Sequence, residues 1–263
     1  MRENTAKRAW HSGKVTFGGW LSIPSSFSAE VMAHQGFDWL CVDMQHGLID
    51  YQVAVTMLQA ISTTETTPFV RVPWNEPGII GKMLDAGAYG IIVPLVNSPE
   101  EARAAVAACR YAPDGSRSYG PLRAGYYAGS DYASQANGEI ACIPMIETAT
   151  AVSRLDEILD VPGIDAVYVG PSDLSLTLGL PPGMDHDDAS FQDARLKIAQ
   201  ACRARGIAAG IHASAALASK HVEAGYQMIT VSSDAASIAG GAARDLASAR
   251  GTEAGASGQP AYR

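Results

Sequence analysis

Two carboxylates in this chain end apolar runs in the same way: Glu147 in CIPMIETATA and Asp173 in VYVGPSDLSLTLG. If the runs are successive parallel strands, the acids meet at one rim of a sheet. Like charges stay that close only with a shared proton or a cation between them. Other reactive types lie at similar places: Asp43 and His46 in VDMQHG, Arg71 inside FVRVP, and Ser172 beside Asp173. Two acids without a histidine or cysteine cluster make a hard, oxygen-rich site suited to magnesium or manganese more than to a structural zinc. A histidine beside an acid is an oriented base, and an arginine offers a planar fork to a carboxylate or a developing enolate. The backbone amides of GPSD, at the start of a helical turn, can bind a carboxylate.

Each residue also has a structural reading. Glu147 can begin a helix after its strand, and Ser172 or Asp173 can cap a short turn. Arg71, a charge within an apolar run, needs an anionic partner in the fold, and Asp43 or Asp38 would serve. His46 can be an exposed loop residue and Asp43 a capping acid.

The elements that must position these side chains follow from the hydropathy pattern. After a helix around Ala6 to His11, short apolar runs alternate with amphipathic stretches, the pattern of parallel strands joined by helices. The runs are GWLSI, FDWLCVDM, PFVRVP, GIIVPLV, IACIPMI, IDAVYVG, GIAAGIH and YQMITVS, with helices such as PGIIGKMLDAG and PEEARAAVAACRY between them. About eight such units close an α/β TIM (β/α)8 barrel, whose chemistry sits at the C-terminal ends of its strands. The alternative, an open doubly wound sheet, lacks a GxGxxG after the first strand. The expected organisation is one barrel domain over residues 1–250 and a small, polar tail over 251–263, GTEAGASGQPAYR, without fixed structure. A long insertion between the fourth and fifth strands, residues 111–139, is rich in Gly, Tyr and Arg. It is expected to line or cover the site.

Composition narrows the partners. A net charge of -8, a pI near 5.2 and the lack of a basic run argue against nucleic acid and for a small diffusible substrate. The first residues lack the apolar core of a signal peptide, and no apolar run approaches the roughly 18 residues of a membrane helix. A cytoplasmic protein without membrane contact is therefore expected. The four cysteines, Cys41, Cys109, Cys142 and Cys202, have no metal-site spacing and read as reduced core residues.

GFDWLCVDMQHGLID, PFVRVPWNEPGIIGKMLDAGAYGIIVPLV and MIETATAVSRLDEILDVPGIDAVYVGPSDLSLTLG together resemble a known family. It is that of the HpcH/HpaI-type, metal-dependent class II pyruvate aldolases, of the 4-hydroxy-2-oxoheptanedioate and 2-dehydro-3-deoxyglucarate aldolase kind. The resemblance implies a TIM barrel whose C-terminal helix packs on a neighbouring subunit, in a homohexamer built as a trimer of dimers. It implies Glu147 and Asp173 as ligands of a divalent metal (Mg2+, Mn2+ or Co2+), and Arg71 as the group holding the keto or enolate oxygen. His46 would be the base, oriented by Asp43. Gly170 and Ser172 would contact pyruvate through the backbone, and Trp20 would form the pocket wall.

Two positions depart from the family pattern. Met145 stands where several relatives have glutamine, and His212 stands where they have an apolar residue near the aldehyde entrance. The implied reaction is reversible aldol cleavage of a 4-hydroxy-2-oxo acid to pyruvate, or hydroxypyruvate, plus an aldehyde. The alternatives are decarboxylation of an oxaloacetate-like acid, a lyase acting on a CoA thioester, or a binding barrel that has lost catalysis.

Overall fold

Every apolar run singled out above forms a parallel strand in the computed structural model, which describes residues 1–252. The strands are β1 (Thr16–Leu21), β2 (Trp39–Asp43), β3 (Thr67–Arg71), β4 (Gly90–Val93), β5 (Ala141–Pro144), β6 (Ala166–Val169), β7 (Ala208–Ile211) and β8 (Met228–Ser233). Their order, β5-β4-β3-β2-β1-β8-β7-β6, brings β5 and β6 to the two edges. These edges meet: Met145 bridges Tyr168 in parallel, Asp165 N–H donates to Cys142 O at 3.1 Å, and Ile146 N–H donates to Tyr168 O at 2.9 Å. The ring is therefore a closed TIM-like barrel with helices between its strands, as expected.

The strands are buried on both faces, and their two-residue alternation sorts side chains into two cores. Leu40, Val42, Cys142, Val167 and Val169 point out against the helices. Trp20, Trp39, Cys41, Phe69, Ile143, Met145 and Tyr168 point into the barrel. Gly18 permits this filling, since a Cβ there would lie 2.1 Å from the Trp39 indole. Carried one step further, the inward register of β2, β3, β5, β6 and β7 arrives at Asp43, Arg71, Glu147, Gly170 and His212. The site is thus the top layer of the barrel filling.

The floor is sealed by the helix Thr5–His11. Ala6 and Trp10 join the inward core, Trp10 lies 5.8 Å from Phe69 between ring centroids, and Lys7 pairs with Asp165 at 2.7 Å. At this end, too, lies the long insertion. It forms the helices Leu122–Ala128 and Tyr132–Glu139, tied by Arg117 to Asp85 at 2.7 Å and by Arg123 to Leu58 O at 3.2 Å. None of its residues lines the cavity of this chain described below, which corrects the expectation that it covers the site. The physical reason is topological: the helix Pro99–Cys109 has already returned the chain to the N-terminal end of the barrel before the insertion begins.

The four cysteines are buried and free. Of the expected tail, 251–263, all but Gly251 and Thr252 lies outside the described residues. The last described helix, Asp234–Ala249, buries only Asp234 and leaves Ile238 and Leu246 at 59% and 50% exposure.

Candidate active site

At the C-terminal ends of the strands lies a cavity of about 340 Å³. Trp20, His46, Arg71, Met145, Glu147, Gly170, Ser172, Asp173 and His212 all line it, so these nine sequence-derived candidates are brought together. The tenth, Asp43, is fully buried beneath them.

Asp43 organises one side of the site. Its Oδ1 accepts from Arg71 Nε at 2.8 Å, and its Oδ2 accepts from Arg71 Nη2 at 2.6 Å and from the Trp20 indole at 3.1 Å. The backbone N–H groups of Gln45 and His46 also donate to Oδ1, at 3.0 and 3.3 Å. Burial alone would raise the Asp43 pKa, but the bidentate Arg71 fork outweighs it and holds the carboxyl below its usual value. For Arg71, burial pulls the other way from Asp43, and the pairing wins, so the guanidinium stays charged. The structure thus uses Asp43 as Arg71's anionic partner. It reaches His46 through that residue's backbone N–H, which sets where the loop presents the ring. Burial, and next the Arg71 charge, lower the imidazole pKa below its ordinary value, favouring the neutral form that can accept a proton.

Across the cavity, Glu147 is 2% exposed, and its Oε1 accepts from Leu95 N–H at 2.8 Å. Leu95 has φ +53°, the left-handed region that a bulky side chain rarely enters. Its backbone departs from the ordinary at the point where its amide serves the carboxylate. On the other side, a Cβ on Gly170 would lie 2.2 Å from Glu147 Oε2, so a side chain there would push the carboxylate aside. Burial, with Asp173 adding to it, pushes the Glu147 pKa up to about 7, against the Leu95 amide and Arg71.

A buried carboxylate this short of compensation, beside a second one, fits a divalent cation. Among the described residues no group of three or more His, Cys, Asp or Glu is arranged to hold a metal ion. An ion here would take two protein carboxylates and complete its shell with substrate or water oxygens, the habit of magnesium.

Several lining residues carried no conspicuous signal in the sequence. Tyr168 Oη is hydrogen-bonded to Thr230 Oγ1 and lies 3.4 Å from His212 Nδ1. The Trp20 ring stacks on Tyr168 with centroids 5.5 Å apart, and His212 sits edge-on to Trp20 at 5.0 Å. Burial, and then the Arg71 charge, press the His212 pKa down to about 4, so it is neutral at pH 7. Only strict alternation along β6 and β8 would have pointed to Tyr168, Thr230 and Ser232. Met184 also lines the cavity, from a loop that Asp185 anchors through Lys220 at 2.5 Å and Gln192 at 2.9 Å.

The profile of the HpcH/HpaI aldolase/citrate lyase family matches residues 17–240. A hydroxypyruvate/pyruvate aldolase of Rhizorhabdus wittichii is 39% identical over 248 residues, 94% of this chain and 99% of that one. A 4-hydroxy-2-oxo-heptane-1,7-dioate aldolase of Salmonella dublin is 39% identical over 261 residues, 97% of this chain and 98% of that one. A solved structure of a family protein from Burkholderia cenocepacia superimposes with a TM-score of 0.88 at 34% identity, covering 94% of this chain and 99% of the other.

Proposed function

The chain belongs to the HpcH/HpaI aldolase/citrate lyase family and is a carbon–carbon lyase; from that premise we propose that it cleaves 4-hydroxy-2-oxo acids reversibly to pyruvate, or hydroxypyruvate, and an aldehyde. The observation that carries this reading is one cavity in which the carboxylates of Glu147 and Asp173 share the space with the Arg71 guanidinium and the His46 ring.

Glu147 and Asp173 would hold the divalent cation, Mg2+, Mn2+ or Co2+, which supplies Lewis-acid stabilisation of an oxyanion, worth several kcal/mol. Arg71, fixed by Asp43 and by the Trp20 ring 4.9 Å away, presents its remaining N–H groups to the 2-oxo oxygen. The backbone at Gly170 and Ser172 contacts the pyruvate carboxylate, with Met145 and Trp20 packing around it. In cleavage, the neutral His46 takes the proton of the C4 hydroxyl. The oxygen's electron pair forms the aldehyde carbonyl, the C3–C4 bond breaks, and its pair becomes the C2–C3 double bond of an enolate while the carbonyl π pair moves to oxygen. Return of the proton from His46 to C3 gives pyruvate, and the reverse sequence enolises pyruvate for addition. A lysine Schiff base is disfavoured because no lysine lines the cavity among the described residues: Lys82 lies over the Tyr51 ring, and Lys220 pairs with Asp185.

Residues 1–250 act as one unit in this reading, in the cytoplasm and as a homo-oligomer. A hexamer, a trimer of dimers, is the assembly implied by the resemblance. Support for assembly comes from the exposed apolar residues Ile238 and Leu246 on the helix Asp234–Ala249, and from Phe27 at 71% exposure.

The test is to incubate the protein with pyruvate in heavy water, with and without Mg2+, and then to add glycolaldehyde. Exchange at C3 followed by formation of a 4-hydroxy-2-oxo acid is expected. Absence of exchange in the presence of the ion would overturn the reading. Loss of CO2 from oxaloacetate without any aldol product would favour a decarboxylase.

A further inference from the structure

The rim of the cavity divides by strand into two arcs. Strands β2, β3, β5 and β6 bring His46, Arg71, Glu147 and Asp173. Strands β7, β8 and β1 bring His212, Ser214, Thr230, Ser232 and Ser22. The first arc holds every charged side chain that lines the cavity among the described residues, and the second presents hydroxyls and one imidazole.

Resting on the reading that the first arc handles pyruvate and the second faces the aldehyde, we propose that the second arc selects short, neutral, hydroxylated aldehydes over those ending in a carboxylate.

The argument begins with what a carboxylate would find there. A buried anion needs a counter-charge or several donors, because desolvation otherwise costs several kcal/mol. Arg71 is engaged bidentately with Asp43 in the other arc. His212, seated edge-on against Trp20, carries no charge at neutral pH. The fixed charge behind the second arc has the wrong sign. Asp234, 1% exposed, accepts from the backbone N–H groups of Ser22 and Ile23, each at 3.0 Å, and of Ala235 at 2.7 Å. The last of these bonds engages the first turn of the helix Asp234–Ala249, where Ser233 Oγ also accepts from Ala236 N–H at 3.2 Å. The positive end of that helix is therefore taken up within the chain.

A hydroxylated partner finds a better match. Serine and threonine hydroxyls both donate and accept, and so meet an alcohol in either sense. The Thr230, Tyr168 and His212 groups already form one connected run of polar atoms facing the cavity. A site built to bond a substrate hydroxyl discriminates against the analogue lacking it, because its own polar groups are then left unpaired. Met184 and Ala236 close the arc with apolar surface.

The experiment uses the full chain with Mg2+ and pyruvate and compares kcat/KM for glycolaldehyde, propionaldehyde and succinic semialdehyde. Exchange at pyruvate C3 in heavy water serves as the readout that needs no aldehyde. We expect glycolaldehyde to exceed propionaldehyde by about tenfold and succinic semialdehyde by about a hundredfold, as lost hydrogen bonds and an unpaired charge would give. Ser214→Arg should raise succinic semialdehyde relative to glycolaldehyde by about tenfold, a ratio read within the one variant whatever its exchange rate. If that variant fails to fold, Ser232→Arg places a cation on the same arc and carries the same expectation.

Succinic semialdehyde or propionaldehyde matching glycolaldehyde, with exchange proceeding, would overturn this inference and leave the pyruvate reading standing. An unchanged ratio in a folded arginine variant would overturn it as well. Loss of exchange in the unaltered chain would overturn both.

Discussion

The two arcs of the cavity are built by opposite means. In the charged arc Arg71 and Glu147 are held in place: five hydrogen bonds converge on Asp43 behind Arg71, an amide from a left-handed leucine meets Glu147, and Gly170 leaves that carboxylate its room. The neutral arc presents hydroxyls, whose rotors can turn to suit a ligand, beside one imidazole. Chemistry common to every substrate profits from fixed electrostatics. Choice among partners can be left to groups that exchange easily by mutation, so specificity can drift along β7, β8 and β1 while the reaction stays in place.

The sharpest way to break that division is to remove the ion assigned to the charged arc. Dialysis against chelator should reduce turnover to background, and Mg2+, Mn2+ or Co2+ should restore it. Glu147→Gln should in addition abolish the rise in Tm that the ion gives the unaltered protein. Undiminished turnover in excess chelator would remove the cation from the scheme.

Next in size, His46→Ala should slow deuterium exchange at pyruvate C3 by about a hundredfold or more, the usual contribution of a general base, while keeping the ion-induced Tm rise. Normal exchange with failed cleavage would move His46 to the aldehyde side and blur the boundary between the arcs.

Arg71→Lys keeps the charge and loses the planar fork, so kcat/KM for pyruvate should fall by roughly tenfold to a hundredfold. Arg71→Ala goes further by leaving Asp43 buried without its partner. It should cost about 3 to 5 kcal/mol in a denaturant melt. A normal melt would show that Asp43 finds another counter-charge.

The smallest effects belong to the neutral arc. His212→Leu should change the ratio of kcat/KM between polar and apolar aldehydes severalfold, far more than it changes pyruvate exchange. Equal loss with every aldehyde would show that His212 serves the common chemistry.

The same substitution has a pH signature. The folded pKa of His212, about 4, lies below the ordinary imidazole value of about 6.5, so between these values the unfolded chain binds the extra proton. Stability contributed at this position is therefore full above pH 6.5 and declines as the pH falls toward 4. Melts of His212→Leu should be flatter over that window than those of the unaltered protein.

The barrel was legible because its eight apolar runs are separated by amphipathic stretches, and each run became a strand. Arg71 and Glu147 were conspicuous as charges inside or just after such runs. Tyr168 and Thr230 escaped notice because a tyrosine or threonine in a strand is unremarkable until its register decides which core it faces. Met184 was beyond reach for another reason: the loop that brings it to the cavity is tethered by Asp185 to Lys220, a contact that no local pattern encodes. For the insertion, length marks a segment that breaks the repeat but does not say at which end of a barrel it emerges. The sequence alone leaves Asp43 two roles, as an orienting acid and as the mate of Arg71. Its carboxylate takes the bidentate fork of Arg71 and also the backbone N–H of His46.

The sealed floor of the barrel has a consequence for how the chain comes together during synthesis. The helix Thr5–His11 leaves the ribosome before every strand of the barrel, yet some of its partners come much later: Lys7 needs Asp165, and the carbonyl of Trp10 accepts from the Gln227 side chain at 3.0 Å. Contacts so distant in sequence form late, after the loops between them have closed. The nascent chain must therefore hold Trp10 undocked while most of the barrel is made, with the inward faces of Trp39 and Phe69 uncovered from below. Until that helix docks, the polypeptide carries an exposed aromatic floor, the kind of surface that chaperones bind and that promotes aggregation.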